Sequence, residues 1–204
     1  MSDQPPTVLP PRIAEAALRL FAERGSENLS VSDLAKAAGV TRATIYNNCP
    51  DPSAIFGIIA RQLADELHES IARANLPMSD PAERLAAGIG YFLRHAHEQP
   101  VWGAFLVRFV LSTDALRPML LGQPARDIAQ GVETGRFSIG QDQIPAVLAL
   151  IGGGVLSQIA LILDGQSPWR KAAADLVELV LRALGLDPAS AREIGRRDLP
   201  SLGI

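Results

Sequence analysis

The sequence predicts an all-α fold, because apolar residues recur at helical spacing in one segment after another. In residues 12–24 the apolar positions fall on one stripe of a helix: Ile13, Ala17, Leu20 and Phe21. Glycine or proline marks the ends of these segments, as at Gly25 and Pro50. At 204 residues, 48% hydrophobic and 20% charged, the chain is globular and long enough for one large domain or for two small ones that share a long helix. We predict a three-helix N-terminal unit followed by a C-terminal helical domain.

The net charge of −3 does not by itself indicate a nucleic-acid-binding protein. Residues 1–50 carry five basic residues (Arg12, Arg19, Arg24, Lys36 and Arg42) and five acidic residues (Asp3, Glu15, Glu23, Glu27 and Asp33). Attraction to DNA phosphates would therefore depend on where the basic side chains are placed, since only cations at the contact surface release counterions.

The single cysteine, Cys49, excludes an intrachain disulfide framework and suits a reducing compartment. Residues 1–11 lack the basic and apolar regions of a signal peptide, so we expect a disordered tail there and a cytoplasmic protein.

Residues 30–48 predict two short helices joined by a tight turn. Ser30 caps the first helix, with Asp33 reaching back as in a capping box. Gly39 supplies the left-handed residue that ends this helix, and Thr41 caps the second helix. Ile45 then points inward, towards the first predicted helix.

The second of these helices presents a face suited to DNA. Its outward side chains carry no acid: Arg42, Ala43, Thr44, Tyr46 and Asn47. Two helices around a glycine are common in small helical domains, but Glu and Lys, usual on a solvated helix, are missing from this face. A helix pair of this shape lays its second member in a DNA major groove, so the pattern indicates a DNA-binding regulator.

Residues 21–25 (FAERG) and 34–46 (LAKAAGVTRATIY) resemble the N-terminal domain of the tetracycline-repressor (TetR) family. The resemblance covers residues 12–56 and implies an all-α homodimer. Its N-terminal domain would bind a double-stranded operator, and its C-terminal domain would dimerise and bind an unknown small-molecule effector that releases the DNA. The DNA-binding residues would be Thr41, Arg42, Ala43, Thr44, Tyr46, Asn47 and Asn48.

This chain departs from the family pattern just after the second helix. Asn48 and Cys49 stand where the family usually has an aromatic residue, and Pro52 stands where it often has a phosphate-binding lysine. Losing that cation would weaken DNA binding and its salt dependence. A TetR-like ligand-binding dimer with weak or lost DNA binding is therefore an alternative.

A connecting helix is predicted over residues 52–74. Asp51 caps it and Pro52 occupies its first position. Apolar residues then follow at four-residue spacing: Ile55, Ile59, Leu63, Leu67 and Ile71. We expect a DNA-binding domain over 12–56 and an effector-binding and dimerisation domain over 75–204.

The C-terminal domain opens with a helix capped by Asp80 and Glu83 and ended by Pro100. Further helices are predicted over residues 101–111 and 126–134, with a loop over 137–143 and a short helix over 188–195. In the resembled fold, several side chains would surround a central effector pocket: Phe92, His95, Trp102, Phe105, Arg108 and Phe109. The aromatic side chains could equally fill the core. Arg108 would need an anionic partner if it faced inward.

Residues 144–163 contain no formal charge, and this segment is long enough to span a bilayer as a helix. We reject this interpretation because the segment contains three consecutive glycines, Gly152 to Gly154, and has no basic anchors at its ends. A helix over 167–184 is also unusually apolar. The two together favour a homodimer through a four-helix interface.

The sequence predicts no catalytic site, metal site or cofactor. His95 and His97 are two residues apart on a predicted helix and cannot share a face. The glycines of residues 152–154 lie in an apolar helix and do not form a phosphate-binding loop. A small all-α enzyme remains the more remote alternative.

Overall fold

A computed structural model describes residues 8–63, 65, 78–114 and 116–199. Helices, turns and loops make up all of these residues, with no strand among them, which confirms the predicted all-α class. The chain divides into two compact units, residues 1–66 and residues 67–204.

The N-terminal unit contains helices α1 (Pro11–Arg24), α2 (Val31–Ala38) and α3 (Arg42–Asn48). A short 3-10 turn, Pro52–Ala54, leads into α4, which is described over residues 55–63. The remainder of the connecting helix predicted to residue 74 lies outside the described residues, apart from residue 65. The core combines apolar side chains of every helix: Ile13, Ala17, Phe21, Leu34, Ile45, Ile55 and Ile59.

Helix capping in this unit follows the sequence closely. The Ser30 hydroxyl accepts a hydrogen bond from the Asp33 N–H, and the Thr41 hydroxyl accepts one from the Thr44 N–H. Gly39 ends α2 at a φ of 64°, in the left-handed region that favours glycine. The predicted capping box is wrong in one respect. Asp33 pairs instead with Arg24, at 2.7 Å, because the end of α1 brings that guanidinium within reach.

The predicted tail over residues 1–11 extends too far. Residues 1–7 lie outside the described part of the chain, but Leu9 is only 1% exposed and its N–H donates to Gln62 Oε1 at 3.4 Å. Pro11 already occupies the first turn of α1, where a residue without an N–H loses no helical hydrogen bond.

The C-terminal unit is a bundle in which α5 (Pro81–Glu98) makes its most extensive contacts with three later helices. These are α7 (Arg117–Glu133), α8 (Ile144–Leu163) and α9 (Trp169–Ala183). The remaining helices are α6 (Pro100–Phe109) and α10 (Pro188–Gly195), with a 3-10 turn at Gln141–Gln143. Helices α8 and α10 have the predicted bounds.

Prolines account for the differences in the middle of this unit. Pro100 opens α6 as well as following α5, because the two helices share Gln99 as their cap. Helix α7 begins nine residues before the predicted start at Arg126. It carries Pro118 in its first turn, where proline is tolerated, and Pro124 in its interior. The helix predicted over residues 167–184 is slightly shorter, since Pro168 takes the cap position without a side-chain hydrogen bond and α9 spans Trp169–Ala183.

Glu83 does not complete the predicted capping box at the start of α5. Asp80 accepts a hydrogen bond from the Ala82 N–H at 2.9 Å as predicted, but Glu83 pairs with Arg197. The Asp80 carboxylate also accepts hydrogen bonds from Nε and Nη2 of Arg136, which lies in the loop after α7. These bonds fix the start of α5 against the end of α7.

Gln141–Leu163 is the only stretch in the described part of the chain that is long and apolar enough to cross a bilayer. Only 39% of its most apolar window is buried within the chain. Length and composition are weak evidence here, because core helices of soluble proteins meet the same criteria.

Candidate nucleic-acid interface and effector cavity

Helix α3 is held in place by one buried side chain and a cap at each end. Ile45 is 1% exposed and anchors the helix to the core of the N-terminal unit. The Thr41 hydroxyl accepts from the Thr44 N–H at 3.1 Å, and the Cys49 N–H donates to the Ile45 carbonyl at 2.8 Å. One face of α3 therefore faces the core and the opposite face is open.

Four of the predicted DNA-binding residues of α3 are exposed: Arg42, Ala43, Tyr46 and Asn47. Tyr46, at 44% exposed, is one of the few large hydrophobic side chains of the described residues that point into solvent. No ion pair of Arg42 is found among the described residues. This face thus offers a guanidinium, a phenol and an amide without a nearby intramolecular charge partner. The capping residue Thr41 is exposed as well.

Thr44 and Asn48 differ from the prediction, since both are half-buried. The hydroxyls of Thr41 and Thr44 hydrogen-bond each other at 2.9 Å. Asn48 Nδ2 donates to the Thr44 carbonyl at 2.8 Å, within α3 itself. A residue one turn beyond the N-cap can reach back to the cap, so the polar groups of Thr44 and Asn48 are already engaged in local bonds of α3.

An acidic residue lies between α3 and α4. Asp51 accepts hydrogen bonds from the Ser53 hydroxyl at 2.6 Å and the Ser53 N–H at 3.0 Å, and these bonds lower the pKa of its carboxyl. Burial raises the pKa of the neighbouring Cys49 thiol, and the Asp51 charge adds to the effect. Asp51 is therefore anionic at neutral pH, whereas Cys49 is a buried, protonated thiol.

The six residues predicted to form an effector pocket divide into three groups. Trp102 packs edge-on against His95, with ring centroids 4.6 Å apart, and lies 5.9 Å from Phe92. Phe105 and Phe109 form a separate buried pair at 5.1 Å. Burial lowers the pKa of His95, which is consequently neutral at physiological pH.

Arg108, a candidate for the predicted effector pocket, does not face inward. It lies on the exposed face of α6, whereas Trp102, Phe105 and Phe109 occupy the buried face. The spacing explains the difference, since buried positions 102, 105, 106 and 109 recur every three to four residues and residue 108 falls between them.

A small cavity lies between α5, α7 and α8, with Phe92 as its only member of the predicted set. Its volume is about 20 Å³, room for a single water molecule. The walls are apolar, and one end is polar: Arg84, Gln123 and Asp127. Asp127 is 2% exposed, and it is the one buried Asp, Glu, His, Lys or Arg side chain of the described residues.

The bonds at Asp127 leave one carboxylate oxygen available. Arg84 Nε donates to Asp127 Oδ1 at 2.7 Å, and Gln123 Nε2 donates to the same oxygen at 3.1 Å. Asp127 Oδ2 receives no hydrogen bond from the described residues. The sequence analysis missed this group, because Arg84 and Asp127 are 43 residues apart and each looks like a solvated helix residue.

A larger cavity, about 370 Å³, lies between α5, α9 and α10, and none of the predicted effector residues lines it. Arg197 bridges Glu83 and Glu193 at its rim. Within the described residues, no three His, Cys, Asp or Glu side chains form a metal-binding group.

Two family profiles match this chain. Residues 13–48 match the bacterial regulatory proteins of the tetR family, and residues 80–197, more than half of the chain, match the tetracyclin repressor-like C-terminal domain. The chain belongs to the TetR family. The resemblance found in the N-terminal motif is thereby confirmed, and it extends to the C-terminal unit. The protein is a TetR-family transcriptional regulator.

Among curated proteins, an uncharacterized HTH-type transcriptional regulator of Mycobacterium tuberculosis is 32% identical over 94 residues. This alignment covers 46% of each protein, so the chain spans about half the length of the curated relative. The HTH-type regulator AcrR of Shigella flexneri is 47% identical over 47 residues, which are 23% of this chain and 22% of AcrR.

Among solved structures, RolR in complex with its ligand resorcinol is 28% identical, with a TM-score of 0.67. The match covers 94% of this chain and 95% of RolR. A TetR-like regulator from Rhodococcus sp. RHA1 has a TM-score of 0.70 at 18% identity, over 86% of this chain and 95% of the other, and shares the fold.

Proposed function

We propose that this TetR-family regulator is a cytoplasmic repressor that binds a pseudo-palindromic operator as a homodimer and is released by a small-molecule effector. The open face of α3 carries the proposal, because Arg42, Tyr46 and Asn47 are exposed together beside Thr41 and no acidic residue interrupts them. A surface without negative charge can approach phosphates and base edges.

Each exposed residue of α3 suits a particular part of the DNA. Thr41 and Tyr46 offer hydroxyls to phosphate oxygens, which set register without reading sequence. Arg42 reaches the guanine O6/N7 edge, and Asn47 can pair with an adenine. Ala43 lets the helix approach closely. The polar groups of Thr44 and Asn48 are already hydrogen-bonded locally. Thr44 therefore contributes to DNA binding through its methyl group, and Asn48 through the geometry of α3.

Exposed apolar surface on α8 and α9 supports the homodimer. Five residues of α8 form one exposed stripe of small or apolar side chains: Ala146, Ala149, Leu150, Gly153 and Ser157. Leu150 is 51% exposed, and Leu179 on α9 is 61% exposed. A monomer would leave this stripe in water, whereas a second copy of residues 144–163 and 167–184 would cover it.

The cavity between α5, α7 and α8 is the proposed effector site. RolR, a relative at 28% identity over nearly its whole length, was solved with resorcinol, which is an aromatic ring with two hydroxyl groups. Here apolar walls that include Phe92 and Ile151 would hold a ring, and Asp127 Oδ2 would accept a hydrogen bond from a phenolic hydroxyl. We therefore propose a small phenolic effector.

A second candidate is a ligand-binding dimer with weak or lost DNA binding. Asp51 favours this candidate, because it keeps a negative charge beside α3 where Pro52 supplies no cation. The two candidates make the same prediction for the effector and differ only in DNA binding.

An electrophoretic gel-shift assay with the intergenic DNA flanking the gene separates them. A repressor retards this DNA at protein concentrations that leave a scrambled duplex of the same length free. Equal retardation of both duplexes, or none of either, would contradict operator binding and support the second candidate. Arg42→Ala run beside the wild type reports whether the retardation passes through α3.

A further inference from the structure

We propose that a basic concavity between α1 and the end of α2 binds DNA backbone phosphates next to the site occupied by α3. Arg12, Arg19 and Lys36 supply its cations, and we refer to them as the phosphate cradle. The proposal rests on the proposed DNA binding and adds the surface that provides its electrostatic attraction.

The cations of the cradle are not paired with a carboxylate in the part of the chain that the structure describes. Among the described residues, no ion pair involves Arg12, Arg19 or Lys36, and all three are exposed. Most cations of the C-terminal unit, in contrast, pair with carboxylates: Arg84, Arg94, Arg117, Arg136, Lys171, Arg182, Arg192 and Arg197. In the described part of the N-terminal unit, Arg24 is the only cation that forms an ion pair, so most of the positive charge of that unit stays unpaired.

The shape of the cradle admits an anion. Its volume is about 190 Å³, and small residues form its floor: Ala16, Ala37, Ala38 and Gly39. Arg12 and Arg19 are seven residues apart on α1, two helical turns or about 10 Å, so they lie on one side of it. Phosphates of one DNA strand follow at about 3.4 Å of axial rise, so this length matches a short run of backbone.

The cradle lies close to the start of α3. Arg12 Nη2 is 3.1 Å from the point where a side chain on Gly39 would begin, and the absence of that side chain leaves room for the guanidinium. Thr41 caps α3 two residues after Gly39, and two Cα–Cα steps span at most about 7.6 Å. A DNA backbone held by Thr41 therefore passes within reach of Arg12.

The phosphate cradle matters more for attracting DNA because the C-terminal end of α3 is followed by a negative charge. Asp51 places a negative charge after α3, so attraction from that side is weak. Glu15 also lines the cradle, between Arg12 and Arg19, without forming an ion pair in the described residues. Its charge opposes a phosphate, and removing it should strengthen binding.

The test measures fluorescence anisotropy of a labelled duplex titrated with the full-length protein at several salt concentrations. An arbitrary duplex at low salt suffices alongside the intergenic DNA, because phosphate contacts do not depend on sequence. The variants are Arg12→Gln and Lys36→Gln, with Glu15→Gln as the opposite change. Arg24→Gln is the matched control, since Arg24 is exposed on α1 but already pairs with Asp33.

We expect Arg12→Gln and Lys36→Gln to weaken binding to both duplexes equally. The slope of log affinity against log salt should fall by about 0.9 for each lost phosphate contact, or about 1.8 in a symmetric dimer. Glu15→Gln should tighten binding, and Arg24→Gln should match the wild type. Cradle variants with the wild-type slope would overturn this proposal while leaving operator binding intact. A wild type that binds neither duplex would overturn both.

Discussion

Arg42 and Tyr46 lie on the same open face of α3, yet they should act differently on DNA. A guanidinium that reads a guanine edge contributes sequence preference, whereas a phenol on a phosphate contributes affinity for every sequence. We expect Arg42→Ala to cost about 1–3 kcal/mol at one operator position and to relax preference there, and Tyr46→Phe to weaken all duplexes alike. Binding to a set of single-base operator variants measures both effects. Identical changes in preference would contradict this division of roles.

The Asp80–Arg136 pair predicts a pH dependence of stability. Burial alone would raise the pKa of Asp80, but the hydrogen bonds from Arg136 and the Ala82 N–H outweigh it, and the pKa ends below its ordinary value. A folded-state pKa below the unfolded one means that the ionised carboxylate stabilises the fold above about pH 4. That contribution is lost as the pH falls through the folded pKa.

We therefore expect Asp80→Asn to lower the free energy of unfolding at neutral pH. The difference from the wild type should shrink as the pH falls below about 4 and through the lowered pKa of folded Asp80, because the wild-type carboxyl then becomes protonated as well. Urea unfolding at a series of pH values measures this difference. Asp164→Asn, at an exposed turn, serves as the control. A difference that stayed constant across the acidic range would show that Asp80 acts through something other than its charge.

At the scale of the elements, the turn between α2 and α3 determines the orientation of α3 relative to α2. Gly39 adopts a φ of 64°, which costs other residues about 1–2 kcal/mol. A methyl group at residue 39 would also meet Arg12 Nη2 at 3.1 Å. We expect Gly39→Ala to lower the free energy of unfolding by about 1–2 kcal/mol, as measured by urea unfolding.

Gly57→Ala is the matched control in the same unit. Gly57 lies in the described part of α4, and an added methyl group there meets nothing within 4 Å. Alanine should therefore stabilise the helix by about 0.5–1 kcal/mol, because it loses less backbone entropy on folding. If the two substitutions had the same sign, the left-handed conformation of Gly39 would not explain its effect.

Several helix ends could be predicted because the residue that ends or begins each helix is adjacent in sequence. Gly39 and Thr41 set the ends of α2 and α3 through local backbone conformation and one hydrogen bond each. The start of α7 could not be predicted, because Pro124 lies inside a helix that tertiary packing nevertheless maintains. The exposed face of α3 followed from helical spacing alone, apart from Thr44 and Asn48, which are half-buried and whose polar groups bond locally.

The buried polar group of the cavity between α5, α7 and α8 could not be predicted from the sequence. Arg84 is in α5 and Asp127 is in α7, and only the packing of those helices brings the two charges to 2.7 Å. No spacing rule within either helix distinguishes them from exposed residues. For Arg108 the sequence misled in the opposite direction. This isolated charge in an apolar helix was a candidate for the pocket, but it lies on the exposed face of α6.

At the scale of the whole molecule, the proposed dimer predicts the effect of a substitution in α8. A Cβ added at Gly153 would meet nothing within 4 Å in the protomer, and the position is exposed, so we expect the isolated fold to accept leucine there. In the dimer the same leucine would hold the facing helix away. We expect light scattering to give the wild type twice its chain mass of 21.7 kDa. Gly153→Leu should have a higher dimer dissociation constant, so that it is monomeric at protein concentrations at which the wild type is still a dimer.

Gly122→Ala on α7, also without a neighbour within 4 Å, is the control and should remain dimeric. A wild type that ran as a monomer at micromolar concentration would exclude this interface.

The effector proposal joins the residue scale to the whole molecule. The cavity of about 20 Å³ holds one water, so an aromatic ring can enter only if α5, α7 and α8 separate. A ligand that moves helices on binding favours one conformation over another, and that difference is what allows it to act on DNA binding. Full release, from 99:1 to 1:99, requires a preference of about 5.5 kcal/mol for the released state.

We therefore expect resorcinol or a related phenol to raise the thermal melting temperature of the wild type and to release its operator in a gel-shift assay. A ligand at one hundred times its Kd stabilises by about 2.7 kcal/mol. Asp127→Asn keeps an oxygen for Arg84 but lacks the charge that holds the phenolic hydroxyl, so the ligand-induced shift, measured against the variant's own melting temperature, should shrink. Asp175→Asn, an exposed partner of Lys171, should respond as the wild type does. An unchanged shift in Asp127→Asn would move the site elsewhere, and a phenol that stabilised the protein but left operator binding intact would refute the coupling.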